Sequence, residues 1–214
     1  MSNRVELPSQ MVSTRLVVVL RASDTRFVDR VADTMVEGGA TCLEVSFTVP
    51  DAPRHIERLA NRHRGNAVIG AGTVLTQQQA RHAASSGAEF LISPAWTEEV
   101  QTVSLDERLA YLPGAFTPTE VERAWRWGAS AVKIFPAGHA GPRFLHALRE
   151  PFPDVPMIPT GGISMDAADE WVRAGALAVG MGGSLVGDAL RGGSLATLLQ
   201  ETKRLLRNLT AASR

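Results

Sequence analysis

LAYLPGAFTPTEVERAWRWGASAVKIFPAG, residues 109–138, decides the fold because it contains one complete strand–helix–strand unit. LAYLPG (109–114) is a short apolar run, Thr117 and Pro118 supply a helix cap and a first-turn proline, and TEVERAWRWG (119–128) has helical spacing and stops at Gly128. AVKIF (131–135) then opens a second apolar run. Two strands separated by a single helix pair as parallel neighbours, since a direct hairpin return is impossible over that connection.

The same alternation runs outward in both directions. Further strands are predicted at LVVVL (16–20), CLEVSF (42–47), AVIGAG (67–72), EFLIS (89–93), PMIPTGG (156–162) and LAVGMGG (177–183). Strand starts recur every 20 to 26 residues, the length of one strand–helix unit, and eight such units fill the chain. Helix starts are expected after Ser23 and Asp24, Thr76, Thr97 and Thr117, and left-handed caps at Gly38, Gly87, Gly128 and Gly175. Eight units without a composition break predict one domain over residues 1–214, a closed parallel (β/α)8 TIM barrel. Residues 1–14 form an N-terminal extension, with a short extra helix within 3–14 covering the bottom, and residues 189–208 form the last helix. Pro159 fits poorly inside a closed ladder and is expected at a bulge.

Composition sets limits. With 214 residues and 44% hydrophobic content the chain can bury a sizeable core. Basic and acidic residues balance at 22 each, which gives no field for nucleic acid or an anionic membrane. One cysteine, Cys42, excludes a disulfide framework, and the five histidines lack metal-ligand spacing, so neither metal nor cofactor is expected. His139 alone follows a candidate site residue closely. The N-terminus has no signal-like apolar core and no run reaches membrane-spanning length, which predicts a cytoplasmic protein.

Within this frame the polar residues gather at strand C-terminal ends, where barrels of this type place their chemistry. Lys133 interrupts an apolar strand, where an amine is costly unless paired or neutral. A desolvated neutral amine is a nucleophile towards a ketone, although a lysine stem can also pack while its head snorkels to water. Alternation puts Ala131, Lys133 and Phe135 on one face, and Cys42, Glu44 and Ser46 on one face, so that Glu44 and Lys133 both point inward. Such a pair is either a buried salt bridge or a nucleophile with a proton shuttle. TGGIS (160–164) and GMGGS (180–184) form two glycine turns whose amides can approach a phosphate, with Ser184 adding a hydroxyl.

LEVSFTVP, VIGAGTVL, LISPAW, LPGAFTP, VKIFPA, PTGGIS and GGSLV, in this order and spacing between Leu16 and Gly187, resemble the class I aldolases that cleave 2-keto-3-deoxy-6-phosphogluconate (KDPG) and related 2-keto acids, including the 6-phosphogalactonate aldolases and 4-hydroxy-2-oxoglutarate (KHG) aldolases. The resemblance implies that Lys133 forms the Schiff base and Glu44 acts as general acid and base. It further implies that Thr73 and Thr160 lie near the pyruvate carboxylate, that Gly161, Gly162, Gly183 and Ser184 line a phosphate site, and that Pro94 and Phe135 form apolar walls. It also implies a homotrimer. One position departs from the gluconate-type pattern, which places an arginine four residues after the glutamate where this chain has Thr48. Arg21, at the end of the first strand as in the galactonate-type relatives, is the candidate for the carboxylate instead.

The expectation is a lyase that cleaves a phosphorylated 2-keto-3-deoxy sugar acid, a small-molecule substrate, to pyruvate and glyceraldehyde 3-phosphate. Two alternatives stand beside it: a phosphosugar isomerase or epimerase with Glu44 as base, and a non-catalytic phosphosugar-binding regulatory barrel.

Overall fold

The computed structural model describes residues 4–212; residues 1–3 of the expected N-terminal extension lie outside the described residues. Its parallel strands are β1 (Leu16–Leu20), β2 (Cys42–Ser46), β3 (Val68–Gly72), β4 (Phe90–Ile92), β5 (Ala110–Leu112), β6 (Gly114–Ala115), β7 (Val132–Ile134), β8 (Met157–Pro159) and β9 (Val179–Met181). Every strand pair is parallel, as the strand–helix alternation requires.

The closed eight-stranded barrel does not form. The strands divide into a curled six-stranded sheet, β5-β4-β3-β2-β1-β9, and a three-stranded sheet, β6-β7-β8. Two prolines account for both seams. Leu112 faces β4, accepting from the N–H of Ser93, whereas Pro113 faces β7 and accepts from the N–H of Lys133 at 2.9 Å. Pro113 has no N–H to return, so the ladder stops and restarts between β5 and β6. Along β8 the N–H of Thr160 reaches Ile134 on β7, so by alternation the missing N–H of Pro159 falls on the β9 side. There β8 and β9 are joined by an isolated Thr160–Gly180 bridge and a bond from the Leu177 N–H to the Met157 carbonyl. Pro159 therefore sits at a seam and not at a bulge.

The alternation along each strand supplies two cores. Leu43, Val45, Val132 and Ile134 point outward under the helices. Met11, Val17, Cys42, Phe90, Leu112, Ala131 and Ile158 fill the interior below the site. Met11 comes from α1 (Ser9–Thr14), the extra helix that closes the bottom.

Thr76, Thr97 and Thr117 cap α4 (Gln77–Ser85), α5 (Glu98–Asp106) and α6 (Pro118–Arg126), and Thr117 and Glu120 form a full capping box. The second helix differs, since α2 (Val28–Glu37) begins later than Ser23 and Asp24 suggested, and Asp24 instead accepts from the backbone and side chain of Arg26. Gly38 is right-handed, and Gly39 takes the left-handed turn in its place. The last helix, α10, spans Leu195–Ala212.

Two of the histidines without metal-ligand spacing pack between helices. His55 and His63, on and just beyond α3 (Ala52–Arg62), are buried against Asp29 and Asp33 of α2, and Arg58 and Arg62 join the same pairs. That helix face is therefore partly an interhelical ion-pair ladder. The α6 tryptophans split: Trp125 packs under the Arg4 guanidinium, while Trp127 is exposed beside Trp96.

Candidate active site

The mouth of the curled sheet holds a cavity of about 330 Å³ lined by Arg21, Lys133, Phe135, Thr160, Gly161, Gly162, Gly183 and Ser184. These eight residues, predicted from sequence, come together from four strand ends. Glu44 lies in the same electrostatic neighbourhood, its carboxylate acting on Lys133 and feeling Arg21. Thr73 stands directly after β3 and receives a long hydrogen bond, 3.4 Å, from the Arg21 guanidinium. Glu44, Thr73 and Pro94 do not themselves line the cavity, and the Pro94 carbonyl is turned against Gly114. His139 is exposed and does not line it either.

Lys133 and Glu44 both occupy inward positions of their strands and are 4% and 1% exposed. Burial pushes the Lys133 amine below its ordinary range; the Glu44 charge works against this and the Arg21 charge adds to it. Burial pushes the Glu44 carboxyl up, against the pull of Lys133 and Arg21. Neither Glu44 oxygen accepts a hydrogen bond from a protein group, an arrangement that costs stability and leaves both oxygens available. The Lys133 amine lies 4.9 Å from the Phe135 ring centroid. A lowered amine and a raised carboxyl shift towards a neutral nucleophile and a proton carrier, the pair that imine chemistry needs.

The glycine turns are locked to the lysine strand. After β7 the N–H groups of Ala137 and Gly138 donate to the carbonyls of Thr160 and Gly161 at 2.9 and 2.8 Å. Gly161 and Gly162 take φ of +86° and +77°, and a Cβ on Gly161 would press on the Phe135 ring at 2.9 Å. Among the described residues no turn, loop or cap hydrogen bond takes up the N–H of Gly162. The first-turn amides of α9 (Gly183–Val186) are unpaired within their helix, as at any helix start.

Ile163, Gly180, Met181 and Gly182 line the cavity from within the two glycine turns, and Val19, which was not singled out from the sequence, lines it as well. Val19 was within reach, because it lies two residues beyond Val17 on the inward face of β1. Ser46, placed on the inward face, and Thr48, named as the departing position, were given no role from the sequence, yet Ser46 bonds the hydroxyls of Thr48 and Thr73 at 2.8 and 2.9 Å.

The motifs, the curled parallel sheet and this constellation agree with one comparison: residues 7–199 match the sequence pattern of the KDPG and KHG aldolases. The chain belongs to the KDPG and KHG aldolase family. This aldolase is 31% identical over 90% of its length to a probable 2-dehydro-3-deoxy-6-phosphogalactonate aldolase of Rhizobium meliloti, covering 91% of that protein. It is 37% identical over 66% of its length to a 2-dehydro-3-deoxy-phosphogluconate aldolase of Treponema pallidum, covering 67% of it. Among solved structures, a KDPG aldolase of Legionella pneumophila, with pyruvate captured at low pH as a covalent carbinolamine intermediate, superposes with a TM-score of 0.85. That match is 27% identical and covers 92% of this chain and 96% of the other. The aldolase is thus a lyase of class I, and the isomerase and regulatory alternatives fall away.

Proposed function

We propose that this aldolase cleaves a phosphorylated 2-keto-3-deoxy sugar acid to pyruvate and glyceraldehyde 3-phosphate, with Lys133 as the Schiff-base lysine and Glu44 as the proton shuttle. The observation that carries this assignment is the burial of Lys133 beside Glu44 at the cavity, with both groups shifted by desolvation towards their neutral forms. The names of the relatives support the substrate class.

The neutral Lys133 amine attacks the C2 carbonyl, and the carbinolamine takes a proton from the acid form of Glu44 and loses water to give the protonated imine, leaving Glu44 as the carboxylate. Glu44 takes the proton of the C4 hydroxyl, the C3–C4 bond breaks, and its electron pair moves into the imine to form an enamine. Glyceraldehyde 3-phosphate leaves. The enamine is protonated at C3 by the acid form of Glu44, and water hydrolyses the iminium to release pyruvate and the free amine.

Arg21 and Thr73 meet the pyruvate carboxylate, and Thr160 stands beside them at the mouth. The turn at Gly161 and Gly162, the amides of Gly183 and Ser184, and the Ser184 hydroxyl hold the phosphate. Phe135 forms the apolar wall beside the imine. A homotrimer in the cytoplasm completes the reading, in keeping with a chain that has no helix long and apolar enough to cross a membrane among the described residues.

Incubation with pyruvate and borohydride, followed by peptide mass mapping, tests the central step. A reduced pyruvyl adduct on Lys133 is expected; an unmodified Lys133 under conditions that trap a known imine enzyme sinks the assignment.

A further inference from the structure

Ser46 is buried with no exposed surface at the C-terminal end of β2, yet it carries a hydroxyl. Its Oγ lies 2.9 Å from Thr73 Oγ1 and 2.8 Å from Thr48 Oγ1, and it accepts from the Thr48 N–H at 3.3 Å. Thr73 Oγ1 in turn accepts from the Arg21 guanidinium at 3.4 Å. Three hydroxyls thus connect an exposed threonine to the arginine at the cavity. Thr73 takes φ of +58°, unfavourable for a β-branched residue and sustained only where neighbours hold it. The two bonds on its hydroxyl are part of that hold.

Proton counting restricts what the chain can do. A hydroxyl has one proton and two lone pairs. In one order Thr48 donates to Ser46 and Ser46 to Thr73; Thr73 then has both lone pairs filled, by Ser46 and Arg21, and its own proton free. In the reverse order Thr73 donates to Ser46 and Ser46 to Thr48, so Thr73 turns a lone pair outward. A carboxylate beside Arg21 is repelled by the second order and bound by the first. Bonds in such a chain also polarise one another, which strengthens the terminal donor.

We propose that Ser46 is a positioning residue for carboxylate recognition: it ties Thr48 to Thr73 so that the Thr73 proton and the Arg21 guanidinium are presented together to the carboxylate of the bound keto acid. This rests on the reading that Arg21 and Thr73 meet that carboxylate. Ser46 touches neither the substrate nor the reacting carbon.

The test measures borohydride trapping against pyruvate concentration, with hydroxyacetone as a ketone that lacks a carboxylate. Ser46→Ala is expected to raise half-saturating pyruvate about 10-fold while the trapping rate at saturation stays within about twofold. Half-saturation by hydroxyacetone is expected to be unchanged, and Ser46→Thr, which restores a hydroxyl, to recover pyruvate affinity. Equal weakening towards both ketones would assign Ser46 a merely structural role and overturn the inference. An unchanged half-saturation in Ser46→Ala, with Arg21→Ala raising it, overturns the inference but keeps Arg21 as carboxylate ligand. No effect from Arg21→Ala overturns the carboxylate reading itself. Should Ser46→Ala not fold, Thr48→Val at the exposed head of the chain is measured in the same way. A rise of about threefold for pyruvate alone supports the inference, and an unchanged value overturns it.

Discussion

The carboxylate of Glu44 lies directly over the α-carbon of Gly72 on the neighbouring strand, in the space that a side chain at 72 would occupy. A Cβ there would overlap the Glu44 carboxyl group itself, side-chain carbon against Oε1. Gly72 is thus the seat of the Glu44 carboxylate, the proposed proton shuttle, and the strand pairing of β2 with β3 sets it there.

Gly72→Ala is expected to drive the Glu44 carboxylate off its seat. Overpacking costs about 1–3 kcal/mol, which a urea titration would read. The larger loss is in turnover: a displaced acid–base group forfeits about 10²–10⁴ in kcat. A folded Gly72→Ala enzyme with wild-type kcat would show that Glu44 acts from elsewhere.

Lys133 makes the fold less stable at neutral pH. Its amine binds a proton less tightly in the folded chain than at its ordinary 10.5, because burial opposes the charge. Between the lowered value and 10.5 the unfolded chain holds the extra proton, so stability climbs with pH; below the lowered value the penalty is complete. Lys133→Met removes the penalty. The variant is expected to be inactive, and whatever stability it gains at pH 7, set against the Glu44 carboxyl left unpaired, shrinks as pH approaches 10.5. Glu44 reinforces the trend, since without the lysine its raised carboxyl is costlier to ionise as pH rises. Melting curves across pH give the comparison, and a gap that widens with pH would contradict it.

How far the sequence carried depends on what alternation can encode. The inward direction of Glu44 and Lys133 follows from a period of two and from large hydrophobes at Leu43, Val45, Val132 and Ile134, so it was legible without coordinates. The division of the sheet was not. Which side of a strand loses a donor at Pro113 or Pro159 depends on register, which no local pattern states. The direction of Pro94 was illegible for a similar reason, because a residue just past a strand can turn towards the mouth or, as here, leave its carbonyl against Gly114. The Thr48–Ser46–Thr73 chain joins two strand ends 27 residues apart, and small hydroxyl residues carry too little pattern to announce it.

Glu44→Gln separates the two roles of that carboxylate. The Glu44 charge is what holds the Lys133 proton on against burial and Arg21, so an amide in its place lets the amine fall further. The acid limb of pyruvate imine formation is expected to move to lower pH, followed by cyanoborohydride trapping rates. Cleavage meanwhile loses about 10²–10⁴ in kcat through the missing shuttle. A limb that moves to higher pH would mean that some other group sets the Lys133 proton affinity.

Gly183 and Ser184 distinguish phosphate recognition from imine chemistry. A Cβ at 183 meets no protein atom within 4 Å, and the residue keeps an ordinary φ, so Gly183→Ala is expected to fold with wild-type stability. Its methyl group would instead enter the cavity at the start of α9, where the phosphate is proposed to bind. Ser184→Ala removes one hydroxyl donor to a charged ligand, worth about 1.5–3 kcal/mol. Both variants are expected to raise KM for the phosphorylated substrate by about 10-fold or more while half-saturation by pyruvate in the trapping assay is unchanged. Loss of pyruvate affinity in step with KM would place the carboxylate, and not the phosphate, at this end of the cavity.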